Sequence, residues 1–339
     1  MSRSKPWVSI VIEWENALLS EGDRCIAMLR AVRRQTEELA ARVNAADAGG
    51  AGPVGARSHP TFELLVVFDS RRSRGAELSA MFERTLGGAT EVLRWRLAPV
   101  SDSGYYSKKH HGATMAAGEI VAFMDSDVIP EPDWLERLLD PLSDPGVQVV
   151  AGNTYIDPVG LVGKTFAMTW FFPLRSDTGA SRRGPLLFAN NLAIRRDVYL
   201  EHPFPEIHGS SRGACLLFAD ELERSGIAVV HNPLARAAHP APNGFAHVSL
   251  RALAQGRDRV LRERTHGSRW SASWLASVSR LVRHQAGVAW KVSTTFWRVG
   301  LNPLLIPAAY GLAAYYYFLY WVGETMLQLR VPAIRRIRV

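Results

Sequence analysis

The feature that most constrains this chain is the apolar run Ile120-Val-Ala-Phe-Met124, which closes on Asp125-Ser126-Asp127 and is followed by Pro130-Glu-Pro-Asp-Trp134. Five consecutive apolar residues without helical period read as a strand buried on both faces. A helix is expected after Pro132. In open α/β sheets ligands bind beyond the carboxyl ends of such strands, where this run places two carboxylates.

Two further runs repeat the pattern. Val8-Ser-Ile-Val-Ile12 leads into Glu13-Trp14-Glu15-Asn16, and Phe62-Glu-Leu-Leu-Val-Val-Phe-Asp69 ends on a carboxylate. Strands are predicted at 8–12, 62–68, about 91–96 and 120–124. Helices are predicted over Asn16 to about Val43, Ala76–Thr85 and Ser107–Ala117. The Ala/Gly/Pro-rich stretch Asn44–Pro60 has neither period and reads as a surface connection. Alternation of buried strands with helices predicts a mostly parallel sheet with right-handed crossovers.

Asp-x-Asp after a strand is common as an ordinary polar loop. On an extended backbone the same pair can share a hard divalent cation with phosphate oxygens, which suits a departing nucleoside diphosphate. A metal-dependent transferase is the reading that uses both carboxylates.

Taken together, these segments resemble the family-2 glycosyltransferases, nucleotide-sugar enzymes of the GT-A fold. The family's opening Val-Ser-Ile-Val-Ile-Pro strand stands here as Val8–Ile12 followed by Glu13. Its Asp-Asp-Gly-Ser-like turn is represented by Phe68-Asp69-Ser70. Its Ala-Arg-Asn-x-Gly segment corresponds to Lys108-Lys109-His110-His111-Gly112, with Lys109 in the arginine's place. The metal motif is Asp125-Ser126-Asp127, with Trp134-Leu135 following. The resemblance covers roughly the first 240 residues.

The resemblance implies inverting transfer of a hexose from a nucleoside diphosphate sugar, first of all a UDP-sugar, to a hydroxyl acceptor. Asp127 and Asp125 would hold Mn²⁺ or Mg²⁺. His239, read as a loop residue after a strand at Ala228–His231, would complete the metal shell or face solvent. Glu13, Trp14, Glu15, Asp69, Lys109 and Asp125 would contact the nucleotide. Asn190 and Asn191, in Ala189-Asn-Asn-Leu-Ala-Ile-Arg-Arg196, correspond to an acceptor-side segment, predicted as a strand over Pro185–Ile194 after another at Val147–Ala151.

One family element fails to appear. The acidic pair expected at the start of a helix ending in Gly226 falls on Ala214 and Cys215, after a candidate N-cap at Ser211. Neither side chain can take the acceptor's proton. Glu206 and His208 in the preceding loop are the substitutes considered for that base, with Asp220 and Glu221 further along the helix. A catalytically impaired relative that binds nucleotide sugar, or a scaffold, is therefore the alternative. A nucleotidyltransferase would instead carry a Gly-rich basic loop where Glu13-Trp14-Glu15-Asn16 stands.

Charge divides the chain. Residues 251–298 hold ten Lys/Arg against two acids and residues 299–339 four Arg against Glu324, so the net +8 leaves the first 250 residues at −3. The basic part suggests anionic lipid headgroups, and no nucleic-acid module is visible. Two cysteines, Cys25 and Cys215, suggest neither a disulfide framework nor a zinc site.

Val299–Val322 carries no charge over twenty-four residues, enough to cross ~30 Å of hydrocarbon as a helix, although Pro303 and Pro307 interrupt it. A buried core helix is the other reading. The expected organisation is a GT-A domain over 1–245, a basic helical extension over 246–298, a membrane-associating segment over 299–323 and a basic tail over 324–339. With no h-region at the N-terminus, the catalytic part is expected on the cytoplasmic side of the cell membrane, with a cell-envelope glycan or lipid-linked acceptor. His266-Gly-Ser-Arg-Trp270 echoes the Gln-x-x-Arg-Trp of processive synthases, but one apolar segment is too little for a channel.

Overall fold

The computed structural model describes residues 5–18, 22–48, 59–101, 104–177, 179, 182–184, 187–210, 212–265 and 273–337. Ser211, His266–Trp270 and most of the 44–60 connection lie outside them. Its strands are β1 (Val8–Glu13), β2 (Phe62–Asp69), β3 (Leu93–Val100), β4 (Ile120–Asp125), β5 (Ile129–Pro130), β6 (Val149–Ile156), β7 (Arg182–Arg183), β8 (Asn191–Arg195) and β9 (Val229–His239). Its α-helices are α1 (Gly22–Ala48), α2 (Gly75–Leu86), α3 (Tyr105–Met115), α4 (Trp134–Leu139), α5 (Gly160–Thr169), α6 (Arg196–Glu201), α7 (Ala214–Arg224), α8 (Gly244–Thr265), α9 (Trp274–Thr295) and α10 (Ile306–Gln328).

The chain divides into two compact units. The first comprises 1–154, 175–204 and 215–238, and the second 155–174, 205–214 and 239–339.

The first unit is built on a sheet of order β3-β2-β1-β4-β8-β6-β9-β5, with β7 beside β9. Pairing is parallel from β3 to β4 and antiparallel for β4–β8, β8–β6, β9–β5 and β9–β7. The mostly parallel sheet expected from the sequence is thus a mixed one. Parallel pairing needs a crossover back to the same edge, and α1, α2 and α3 supply it only up to β4.

The buried strands follow from two covered faces. Ile10, Ile12, Leu64, Val66, Ala122 and Met124 enter one core with Met28 and Leu29 of α1 and Phe82 of α2. Their neighbours Val11, Leu65, Val121 and Phe123 enter the other, with Ala113 of α3, Tyr199 of α6 and Phe218 of α7. Period-2 alternation between two apolar layers explains the hydrophobic stretches, which are interrupted in β1 and β2 by Ser9 and Glu63, hydrogen-bonded to each other at 2.7 Å.

Several boundaries differ from those predicted. Asn16–Leu18 is a single 3₁₀ turn, and α1 runs on through Asn44-Ala-Ala-Asp-Ala48 into the segment read as loop. β3 starts at Leu93, two residues later than expected, and extends to Val100. β6 extends to Ile156, β8 starts at Asn191, and Asn190 sits in the turn before it. β9 is eleven residues long, so His239 ends a strand instead of lying in a loop. It reads poorly as a strand because Asn232-Pro233 interrupts its apolar run.

In the second unit α10 packs against α8, α9 and α5. Among the described residues no helix is long and apolar enough to cross a membrane. The uncharged run does not form one helix: it passes through a 3₁₀ turn at Phe296–Val299, a left-handed Gly300 and a second 3₁₀ turn at Pro303–Leu305 before α10 begins.

Two tyrosines of α10 make interior contacts. Tyr316 Oη donates to Gln255 Oε1 at 2.5 Å and accepts from Trp170 Nε1 at 2.8 Å. Tyr317 Oη donates to the Thr169 carbonyl at 2.5 Å. Glu324, wholly buried, pairs with Arg280 at 3.0 Å and Arg259 at 3.5 Å and accepts from Ser277. α8 and α10 approach so closely that a Cβ at Gly256 would strike the Tyr320 carbonyl, and one at Gly323 the Leu253 carbonyl.

Candidate functional site

The parallel register sets one line of carboxylates at the C-terminal sheet edge. Glu13 ends β1 opposite Asp125, which ends β4, and Asp69 ends β2. Glu13 pairs with Val67, so β2 runs two residues past the end of β1 to reach Asp69. Glu13 and Asp125 thus sit side by side at this edge, with Asp69 two residues further along β2.

Asp125 is buried and held on both oxygens. Oδ1 accepts from Tyr105 Oη at 2.6 Å and lies 2.8 Å from Lys109 Nζ, while Oδ2 accepts from Asn16 Nδ2 at 3.0 Å. Lys109 also donates to the Met124 carbonyl at 2.9 Å. Tyr105 and Lys109 lie one turn apart on α3, so one helix face delivers both groups. The sequence reading singled out Lys109 but not Tyr105 or Asn16. The i,i+4 spacing of Tyr105 and Lys109 was the signal available for the tyrosine.

Asp127 is fixed through its backbone. Its carbonyl accepts from Arg24 Nε at 2.6 Å, and the same guanidinium donates to the Ala238 carbonyl at 2.7 Å. Arg24 thus ties the Asp-x-Asp turn to β9. Ile129, two residues past Asp127, pairs antiparallel with Ala238, the residue before His239. Among the described residues Asp125, Asp127 and His239 form a cluster that could hold a metal, each offering a ligand atom within 4.8 Å of the others.

That donor set suits a divalent ion. Two carboxylates and an imidazole satisfy manganese, and carboxylates with water satisfy magnesium. Donors across an ion with bonds of roughly 2.0–2.6 Å stand about 4–5 Å apart. His239 Nδ1 lies 2.6 Å from the Pro240 carbonyl. The tautomer that donates this proton carries its lone pair on Nε2, the arrangement of a metal-ligating histidine.

The remaining predicted residues have distinct settings. Glu13 is buried and accepts the Glu15 backbone N–H at 2.8 Å. Glu15 bridges Arg72 at 3.0 Å and Lys108 at 3.2 Å. Asp69 accepts the Arg71 backbone N–H at 2.9 Å, which, with the Arg71 charge, holds its carboxyl below the usual range despite burial. Trp14 is buried in the core, its ring centroid 5.4 Å from that of Phe82.

The two asparagines are enclosed. Asn191 accepts from Trp134 Nε1 at 2.8 Å and donates to the Ala235 carbonyl at 2.9 Å, linking α4, β8 and β9. Asn190 accepts from Thr154 Oγ1 at 3.0 Å. Cys215, where the family's acid is absent, shares a hydrogen bond of 3.2 Å with Tyr106 and receives the Ala189 N–H. Burial raises its thiol pKa, which disfavours the thiolate there. Glu206 is exposed, on the 205–214 stretch of the second unit, and Asp220 and Glu221 lie within α7.

Residues 51–199 match the sequence profile of Glycosyl transferase family 2. The glycosyltransferase AglE of Haloferax volcanii is 29% identical over 178 residues, 48% of this chain and 55% of the relative. The glucosyl-dolichyl phosphate glucuronosyltransferase of the same organism is 27% identical over 200 residues, 54% of this chain and 61% of the relative. The matches thus span little more than half the length of these curated relatives. Among solved structures, a mannosyltransferase of Pyrobaculum calidifontis in complex with GDP-mannose and Mn²⁺ shares the fold, at a TM-score of 0.56 and 16% identity over 96% of this chain and 88% of its own.

Proposed function

We propose that the chain, whose residues 51–199 match the profile of Glycosyl transferase family 2, transfers a sugar from a nucleoside diphosphate sugar to a hydroxyl on a lipid-linked or cell-envelope acceptor. The observation that carries this is the convergence of Asp125, Asp127 and His239 at the sheet edge, beside the paired ends of β1 and β4. Mn²⁺ or Mg²⁺ held there would offset charge on the departing diphosphate. Asp125, clamped by Lys109, Tyr105 and Asn16, is pre-set in position, so little reorganisation accompanies binding. Glu13, Glu15 and Asp69 border the same edge and are assigned to the nucleoside, with a UDP-sugar the first donor to test.

A lipid-linked acceptor draws support from the relative that is named for glucosyl-dolichyl phosphate. Location at the cytoplasmic face of the cell membrane is part of the same proposal. Glu206 is the proposed base toward the acceptor hydroxyl, with inversion at the anomeric carbon. Glu206→Gln should lower kcat by at least about a hundredfold while leaving donor binding intact. Unchanged kcat would remove Glu206 from the mechanism.

The central test is release of nucleoside diphosphate from UDP-, GDP- and dTDP-sugars with Mn²⁺ and a membrane-lipid extract, comparing the wild type with Asp127→Ala. Metal-dependent turnover lost in the variant supports the transferase. A second reading, a nucleotide-sugar-binding protein without turnover, is favoured by one observation: Ala214 and Cys215 replace the acids expected at the start of α7. Tight donor binding with no turnover on any acceptor would select it.

A further inference from the structure

The second unit carries a surface that its own packing leaves open. From Arg264 to Gly323 the chain contains no Asp or Glu. α9 turns Ala276, Ser277, Arg280, Val288 and Val292 inward. Its opposite side exposes Leu275, Val282 and Trp290, the last at 71%. The apolar exposure continues past the helix, with Trp297 at 67% in the first 3₁₀ turn and Leu304 at 86% in the second.

These residues follow a rule. Val282, Trp290 and Trp297 are each followed directly by an exposed cation, Arg283, Lys291 and Arg298, at intervals of seven or eight residues. An apolar patch of this kind is costly in water and marks an interaction surface. Its partner must accept indole and aliphatic groups and be negatively charged next to them. An anionic bilayer surface offers acyl chains and phosphates side by side, and interfacial helices set Trp and Leu into the acyl boundary with Lys and Arg flanking them at the headgroups. A protein partner or a second copy would need carboxylates opposite the cations, and this stretch of a second copy has none to give.

We infer that the outer face of α9 and the two turns after it, centred on Trp290, Trp297 and Leu304, dock flat onto an anionic membrane without crossing it. The inference extends the proposed function to the place where a lipid-linked acceptor is met. Its test needs no donor or turnover, so the two can fail separately.

The full chain should co-sediment with vesicles of phosphatidylcholine mixed with phosphatidylglycerol, and far less with phosphatidylcholine alone. Its tryptophan emission should shift to the blue on binding. Arg283→Glu/Lys291→Glu/Arg298→Glu and, separately, Trp290→Ser/Trp297→Ser should each weaken vesicle binding at least tenfold, given the contribution of about fivefold per basic residue near such a surface. All these side chains are exposed, and the thermal transition of both variants should match the wild type. If either variant fails that check, Leu304→Ser with the same readout replaces it. Absence of vesicle binding, or binding unchanged in the variants, overturns the inference. So does a concentration-dependent dimer, seen by size-exclusion chromatography, that the tryptophan variant dissolves while vesicle binding is absent.

Discussion

Lys109 Nζ and Asp125 Oδ1 face each other at 2.8 Å, both enclosed from solvent, at the point where α3 meets the end of β4. The pair neutralises the first carboxylate of the Asp-x-Asp turn. With Tyr105 and Asn16 also bound to it, Asp125 is a fixed group beside Asp127, whose backbone Arg24 holds.

Lys109→Met should destabilise the first unit by about 3–5 kcal/mol, because Asp125 is left buried without its counter-charge. Asp125→Asn added to it should recover part of the loss, as expected for two residues in direct contact. Urea unfolding of the four-member cycle measures the coupling. Strict additivity would mean the two groups do not interact.

Metal binding should be visible in stability. At a hundredfold excess over Kd, Mn²⁺ with a nucleoside diphosphate should add about 2.7 kcal/mol, a rise in Tm of several degrees. Asp127→Asn and His239→Ala should lose most of that rise while keeping the metal-free Tm within a few degrees of wild type. An equal rise in Asp127→Asn would place the metal elsewhere.

Two glycines offer a paired test of helix contact. Gly256→Ala should cost about 1–3 kcal/mol or more, since its methyl group meets the Tyr320 carbonyl across the α8–α10 contact. Gly287→Ala on α9, where nothing lies within 4 Å, should raise stability by about 0.4–1 kcal/mol. Thermal melts of both variants compare the two directly. A harmless Gly256→Ala would mean that α8 and α10 do not approach this closely.

The second unit should be acid-sensitive. Burial, helped by Arg259, Arg280, Arg283 and Lys291, pushes His284 down to about 4, and burial with Arg251, His239 and Arg212 pushes His247 to about 4. Both rings are neutral in the folded chain, while the unfolded ones bind protons from about pH 6.5. Their stabilising contribution is present above pH 6.5 and is lost as the pH falls toward 4. Tm should decline across that window, less steeply in His284→Gln. Identical slopes in the wild type and the variant would exclude His284 as a cause.

Much of the site was legible because it rests on local pattern. The runs at Val8, Phe62 and Ile120 announce buried strands by composition alone, and each delivers its carboxylate to an edge that strand direction determines. What Lys109 binds was not legible, since nothing local says that a cation on α3 will reach the end of β4. Nor were Arg24 and the full length of β9, which depend on a strand arriving from more than a hundred residues away.

The C-terminal third shows the same division. The sequence by itself determined that 264–323 would be apolar, basic and free of carboxylates, because composition needs no fold. Only the tertiary structure decided that Gly300 and Pro303 break the run, that Glu324 is buried against Arg280 and Arg259, and that Tyr316 and Tyr317 turn inward. Burial is a property of neighbours: which side of a helix meets another helix depends on contacts between segments far apart in the chain. Hydropathy read along one segment cannot hold that information.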